Sequence, residues 1–221
     1  MRKLMNLYND LHTLTKRNYF ERMNPEKIQC IEIAKKYDKD YWDGDRKYGY
    51  GGYRYIPGRW TSFANKLIDI YDLKSGSKVL DIGCGKGYLI YELKKIIPGL
   101  IVFGCDISEY AINNSKEEIS KFLFIHDAKN NLNYDDNEFD LVISLGVFHN
   151  LFIDELENAI KEMNRVGRNK YLLVESYRNT IELINLQCWG LTAVSLFNNK
   201  EWIWLYNKFG YDGDYEFYHF E

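Results

Sequence analysis

The chain has 221 residues, with 29 Lys+Arg against 32 Asp+Glu and a formal net charge of −3. That length suits one well-buried domain with an appendage rather than two domains, and 46% apolar residues mark it as globular, not disordered. The acidic balance argues against a nucleic-acid partner, since such binders usually present a strongly basic face.

In chain order, Leu4, Leu7, Leu11 and Leu14 recur at helical spacing and predict an amphipathic first helix. Arg2, Lys3, Lys16, Arg17, Arg22, Lys27, Lys35 and Lys36 make residues 1–36 locally basic, which reads as a solvated helical face. No unbroken apolar stretch follows the first charges, so no secretion signal is expected. No run approaches the roughly 20 apolar residues of a bilayer-spanning helix. The expectation is a cytoplasmic protein with no membrane partner, monomeric or a homodimer. Asn24-Pro25-Glu26 predicts a second helix start, with Ile28, Ile31 and Ala34 or Lys35 continuing the apolar face. Residues 37–60 have no helical period and are rich in Gly, Tyr and Arg, the composition of a functional lid.

From residue 61 the pattern becomes α/β. Helix 63–70, strand 78–83, a helix stopped by Pro98-Gly99 and strand 100–106 follow one another. Next come a helix over 109–119 capped by Ser108, strand 121–125 and strand 139–145. A helix begun by an Asp154/Glu157 capping box, strand 169–175, a helix over 200–209 and a last strand over 215–220 complete the order. Such alternation predicts a doubly wound, mostly parallel sheet. The expected division is an N-terminal helical and lid segment, 1–60, and an α/β domain, 61–221, with a pocket-forming insert over 177–198. Trp202 and Trp204 read as core or interface. Cys30, Cys84, Cys105 and Cys188 lack the spacing of a metal or redox site, so no metal is expected.

In a sheet of this kind ligands bind beyond the carboxyl ends of the strands. That places segments 81–87, 106–107, 126–128 and 145–150 in one crevice. In Val79-Leu80-Asp81-Ile82-Gly83-Cys84-Gly85-Lys86-Gly87 the glycines bring bare backbone to a helix N-terminus. The acid two residues before the first glycine would repel a pyrophosphate and suit a cation. S-adenosylmethionine (AdoMet), with its ammonium and sulfonium, fits that demand. Asp106 can accept ribose hydroxyls, Ile107 can lie on an adenine face, and Asp127-Ala128 can read the adenine edge.

These residues closely resemble motif I and its followers in the class I AdoMet-dependent methyltransferases, over residues 79–175. The resemblance implies that Asp81 with Gly83, Gly85 and Gly87 holds the methionine part, Asp106 the ribose and Asp127 the adenine, with Leu145 at the end of the fourth strand beside them. S-adenosylhomocysteine would be the product. It also implies a seven-stranded sheet with an antiparallel final strand, although only one clear strand follows the fifth. An Asn-Pro-Pro-Tyr signature is absent after the fourth strand, and no cysteine is placed as a nucleophile.

His149 and Glu175 are the candidate proton acceptors for a hydroxyl or amine substrate. Arg46, Tyr50, Arg54 and Arg59 in the lid, with Tyr177 and Arg178 beyond Glu175, are the candidate acceptor contacts. Arginine forks suit phosphate or carboxylate. The expectation is O-methylation of a small anionic molecule: a sugar, a sugar nucleotide or a phosphorylated intermediate. The lid and Glu175-Ser176-Tyr177-Arg178 resemble a subgroup of small bacterial methyltransferases of surface-polysaccharide and capsule phosphoramidate gene clusters. The alternatives are a non-catalytic AdoMet-binding partner subunit and an N-methyltransferase of a small amine.

Overall fold

The computed structural model describes residues 2–13 and 17–221. Six strands form one sheet in the order β3-β2-β1-β4-β5-β6. They are β1 (Lys78–Ile82), β2 (Ile101–Asp106), β3 (Leu123–Ile125), β4 (Phe139–Leu145), β5 (Gly167–Glu175) and β6 (Asp214–Tyr218). Every pair is parallel. The central strands β1 and β4 are buried along almost their whole length, because helices cover both faces of the sheet.

One face carries α8 (Ile153–Val166) and α10 (Asn199–Lys208). Leu156, Ala159, Ile160 and Met163 recur at three- and four-residue spacing and pack with Trp202 and Leu205 over Leu80, Val142 and Leu172. The other face carries α4 (Thr61–Ile70) and α5 (Tyr88–Ile96), whose Phe63, Leu67, Leu89 and Leu93 cover Val79, Val102 and Leu141. Two short helices, α6 (Glu109–Asn113) and α7 (Glu117–Ser120), replace the single helix expected over 109–119. Asn113, Asn114 and Ser115 stand at the break, where such side chains compete for the backbone; Asn114 Nδ2 donates to the carbonyl of Tyr110. Ser108 caps α6 as expected, accepting the N–H of Ala111. At the start of α8 the carboxylate that accepts an N-terminal N–H is Glu155, bound to Phe152 N, while Glu157 pairs with Lys161.

The last strand departs from the seven-stranded expectation. β6 runs parallel to β5, from Tyr171 opposite Asp214 to Glu175 opposite Tyr218, and among the described residues no antiparallel strand follows. The chain leaves β5 through α9 (Thr180–Trp189), crosses the sheet on α10 and re-enters in the same sense. The outer edge of β6 is met by the N-terminus. Tyr215 N donates to Lys3 O and Met5 N donates to Tyr215 O, at 3.0 and 2.8 Å. Leu4 is therefore extended, and α1 (Asn9–Thr13) begins only after Tyr8. The backbone N–H groups of Leu7 and Tyr8, released from any helix, are both taken by the buried carboxylate of Glu216, which also accepts the hydroxyl of Tyr171. Leu14 and Lys16 lie outside the described residues.

In α2 (Lys27–Ala34) the buried face is Lys27, Cys30 and Ala34; Ile28 is exposed. Lys27 Nζ donates to the carbonyls of Cys188 and Gly190, both at 2.7 Å, a cation completing the C-terminus of α9. Residues 37–60 are less irregular than expected: they contain α3 (Lys39–Asp43) and a 3-10 turn at Arg46–Tyr48. Trp202 is fully buried, whereas Trp204 is exposed. All four cysteines are free and buried. No helix among the described residues is long and apolar enough to cross a membrane.

Candidate functional site

A cavity of about 420 Å³ opens where the carboxyl ends of β1, β4 and β5 meet the N-terminal segment. At the end of β1 the chain makes a left-handed turn. Gly83, Gly85 and Gly87 have φ of +79°, +57° and +70°, a region that side chains rarely adopt. A Cβ on Gly83 would stand 2.1 Å from Val147 Cγ2. Gly83 and Gly85 line the cavity. Gly87 does not: its missing Cβ faces Ile119 and Leu123, so it serves the packing of α5.

Asp81 lines the cavity from the same turn and is 3% exposed. Its Oδ1 is buried without a hydrogen-bond partner. Burial, and then the charge of Asp106, push it up to about 7. A buried carboxylate in that condition is stabilised by a cation placed against it. Asp106 is nearly buried, with one oxygen on Gly85 N at 2.7 Å and the other on Ser108 N at 2.8 Å.

The residues read from the sequence as nucleoside contacts stand apart. Asp106, Ile107, Asp127 and Ala128 do not line the cavity. Trp42 of α3 accounts for the separation: its ring lies against Gly85, its Nε1 donates to Ser108 Oγ at 2.8 Å, and Tyr50 stacks on it at 5.2 Å. Ile107 is exposed, Ala128 packs on the core, and Asp127 is paired with Lys129 at 3.3 Å. Asp81 and the glycine turn thus open on the cavity, whereas Trp42 stands between it and the residues expected at a nucleoside.

The segment expected to form a lid is fastened to the same turn. Lys86, between two of its glycines, has a buried ammonium 2.6 Å from Asp43 Oδ2, which also accepts the hydroxyl of Tyr110. Asp43 Oδ1 accepts Tyr53 N at 3.0 Å. Against the opposing effect of burial, the bonds from Lys86 and Tyr110 hold Asp43 below the usual carboxylate range.

On the far side Leu145 and Glu175, at the ends of β4 and β5, line the cavity, while His149 does not. The imidazole is buried behind Glu175. Its Nδ1 accepts Glu175 N at 3.2 Å, and its Nε2 lies 3.5 Å from Glu175 Oε2. Because Nδ1 accepts, the proton of a neutral ring sits on Nε2, facing the carboxylate. Burial lowers the pKa of His149 against the pull of Glu175, which favours that neutral form. Tyr218 donates its hydroxyl to Glu175 Oε1 at 2.8 Å. His149 therefore stands behind Glu175, which is the group that meets the cavity. Tyr177 and Arg178 do not line the cavity: the backbone of Tyr177 bridges to Asn198, and Arg178 pairs with Glu182 and Glu221.

Arg46, Tyr50, Arg54 and Arg59 all line the cavity. Arg17 and Arg22, which the sequence presents as part of a solvated face, line it too. Trp189 is the wall they share. The guanidiniums of Arg22, Arg46 and Arg17 lie 4.0, 5.0 and 5.4 Å from its ring centroid. Nothing local in the sequence marks Arg17 or Arg22, because Trp189 is far away along the chain. Among the described residues no His, Cys, Asp and Glu cluster could hold a metal.

A family model described as a methyltransferase domain matches residues 73–210. The mitochondrial arginine-hydroxylase NDUFAF5 of Mus musculus is 32% identical over 120 residues, 54% of this chain and 34% of that protein. The chain thus spans about a third of that relative's length. The demethylmenaquinone methyltransferase of Staphylococcus saprophyticus is 33% identical over 110 residues, 48% of this chain and 46% of that protein. Two solved structures share the fold. One is the complex between the Haloferax volcanii Trm112 methyltransferase activator and a methyltransferase (TM-score 0.53, 18% identity, 71% of this chain and 77% of that one). The other is the YcgJ protein of Bacillus subtilis (TM-score 0.53, 16% identity, 66% of each chain). With the family match extending over more than half its length, the chain belongs to the methyltransferase domain family.

Proposed function

We propose that the chain transfers a methyl group from AdoMet to an oxygen of a small anionic acceptor. The observation that carries this reading is Asp81: a buried, unpartnered carboxylate beside a turn of left-handed glycines, in a methyltransferase domain. Asp81 would face the ammonium of the methionine part, with the backbone of Gly83 and Gly85 against the rest of it. Bound there, AdoMet supplies an electrophilic methyl that an acceptor oxygen can attack as the carbon–sulfur bond breaks, leaving S-adenosylhomocysteine. Asp106 and Asp127 become nucleoside contacts once Trp42 moves aside.

Glu175 is placed to take the acceptor proton. Tyr218 and His149 bracket its carboxylate and fix its direction. The cavity walls hold the acceptor in line and exclude water, and positioning of that kind supplies roughly 7–11 kcal/mol of a barrier. The arginines favour an anion: a sugar nucleotide or a phosphorylated intermediate, such as those of surface-polysaccharide assembly. The test is calorimetry with S-adenosylhomocysteine on the folded chain, followed by an acceptor screen scored by S-adenosylhomocysteine release. Saturable binding and turnover are expected. Absence of binding, with NADH bound in its place, overturns the reading.

A further inference from the structure

The arginine wall identifies the charge of the acceptor more closely. Among the described residues, the cavity is lined by five guanidiniums, Arg17, Arg22, Arg46, Arg54 and Arg59, and by two carboxylates, Asp81 and Glu175. The chain as a whole is acidic, so this concentration is local. AdoMet adds a further net positive charge and brings one carboxylate of its own. Arg54 and Arg59, whose guanidiniums have no hydrogen bond or ion pair among the described residues, are available for it.

Arg22 and Arg46 are built differently. Arg22 is fixed by backbone carbonyls: Nη1 donates to Trp189 O, and Nη2 donates to Arg46 O and Gly49 O at 2.7 Å each. Arg46 spends Nη1 on Gly49 O and leaves its Nε and Nη2 without a hydrogen bond. Neither has a carboxylate within ion-pair distance among the described residues. Burial and the charge of Arg46 push Arg22 down to about 10, and burial and Arg17 lower Arg46. The like charges of Arg22 and Arg46 are thus held together on one indole ring by uncharged partners, an arrangement that an anion relieves.

We propose that Arg22 and Arg46, seated on Trp189 with Arg17 beside them, form a subsite for a dianionic phosphoryl group, so that the methyl acceptor is a phosphate monoester. This rests on the methyltransferase reading above. One carboxylate would leave the cavity strongly cationic, whereas a terminal phosphoryl group brings two charges and three acceptor oxygens to the fork of Arg46.

The experiment compares methyl phosphate with dimethyl phosphate at pH 8, by calorimetry on the chain saturated with S-adenosylhomocysteine. Methyl phosphate is expected to bind at least about tenfold more tightly, and Arg46→Gln to erase that preference while leaving S-adenosylhomocysteine affinity within about twofold. Trp189→Phe, which keeps a ring, is expected to retain part of it. Equal binding of the two esters, or a preference that survives Arg46→Gln, overturns the subsite. The ester comparison needs no variant, so a misfolded substitution does not protect the proposal. If S-adenosylhomocysteine itself fails to bind, the methyltransferase reading falls; if it binds and the esters are not distinguished, only the subsite falls.

Discussion

The two ends of the cavity are made in different ways. The glycine-turn end comes from one short stretch, Asp81 to Gly85, at the tip of a central strand buried from both sides. The arginine end is gathered from residues 8–60, from the loop after α9 and from the C-terminal residues. The first end is rigid because the sheet is. The second depends on contacts between segments remote in sequence, such as Lys27 with Cys188 and Arg22 with Trp189. One domain can therefore keep a common methyl donor while its added segments choose the acceptor, which is how one fold serves many reactions.

Four substitutions test whether the ends are separable. The largest effect is expected from Glu175→Gln, which should lower kcat about 100-fold or more and leave the Kd for AdoMet unchanged. His149→Asn should do less, and should shift the pH profile of kcat rather than abolish turnover. Equal loss in cofactor affinity would join the two ends.

Asp81→Asn should act in two directions. AdoMet binding should weaken about thirtyfold, roughly 2 kcal/mol, because the ammonium loses its charged partner. The ligand-free chain should gain stability, because an unpaired buried charge is gone. Folding raises this carboxyl from its ordinary 3.8 to about 7. The folded chain holds a proton that the unfolded chain has released, so ligand-free stability should fall as pH rises from about 4 to about 7. Thermal melts of the parent should show that slope, and Asp81→Asn should flatten it. Calorimetry at pH 6 in buffers of different ionisation enthalpy should show close to one proton released as AdoMet binds.

The smallest effect is expected from Asp43→Asn, which weakens the clasp on Lys86. A loss of about 1 kcal/mol in AdoMet affinity, with a matching rise in acceptor KM, would show that lid and turn communicate. Loss confined to the acceptor would show that they do not.

The sheet and the glycine turn were legible because their signals are short-range: apolar runs of strand length, a cap at Ser108, an acid before a glycine turn. β4 lies where the sequence places it, at Phe139–Leu145. The parallel course of β6 was not legible, since it depends on α10 crossing the sheet. Nor was the extended Leu4, whose partner Tyr215 stands more than 200 residues away. His149 and Glu175 were both visible as acids and bases at strand ends. Their order, one behind the other, came only with the packing of β5 on the 3-10 turn at Phe148–Asn150. Arg17 and Arg22 resembled any surface cation until the chain closed over Trp189.

The carboxylate of Glu216 has a consequence for how molecules enter. It ties Leu7 and Tyr8, whose ring walls the acceptor side, to Tyr171, four residues before Glu175 on the same strand. All three donors sit on a buried acceptor, and detaching any of them would cost that acceptor a hydrogen bond that water does not replace. That part of the roof is a fixed jamb. Opening is therefore expected on the opposite side, among residues 41–55, which are held by Lys86 and Tyr110 on Asp43, by Trp42 on Ser108, by Arg22 on the carbonyls of Arg46 and Gly49 and by Tyr55 on Glu92.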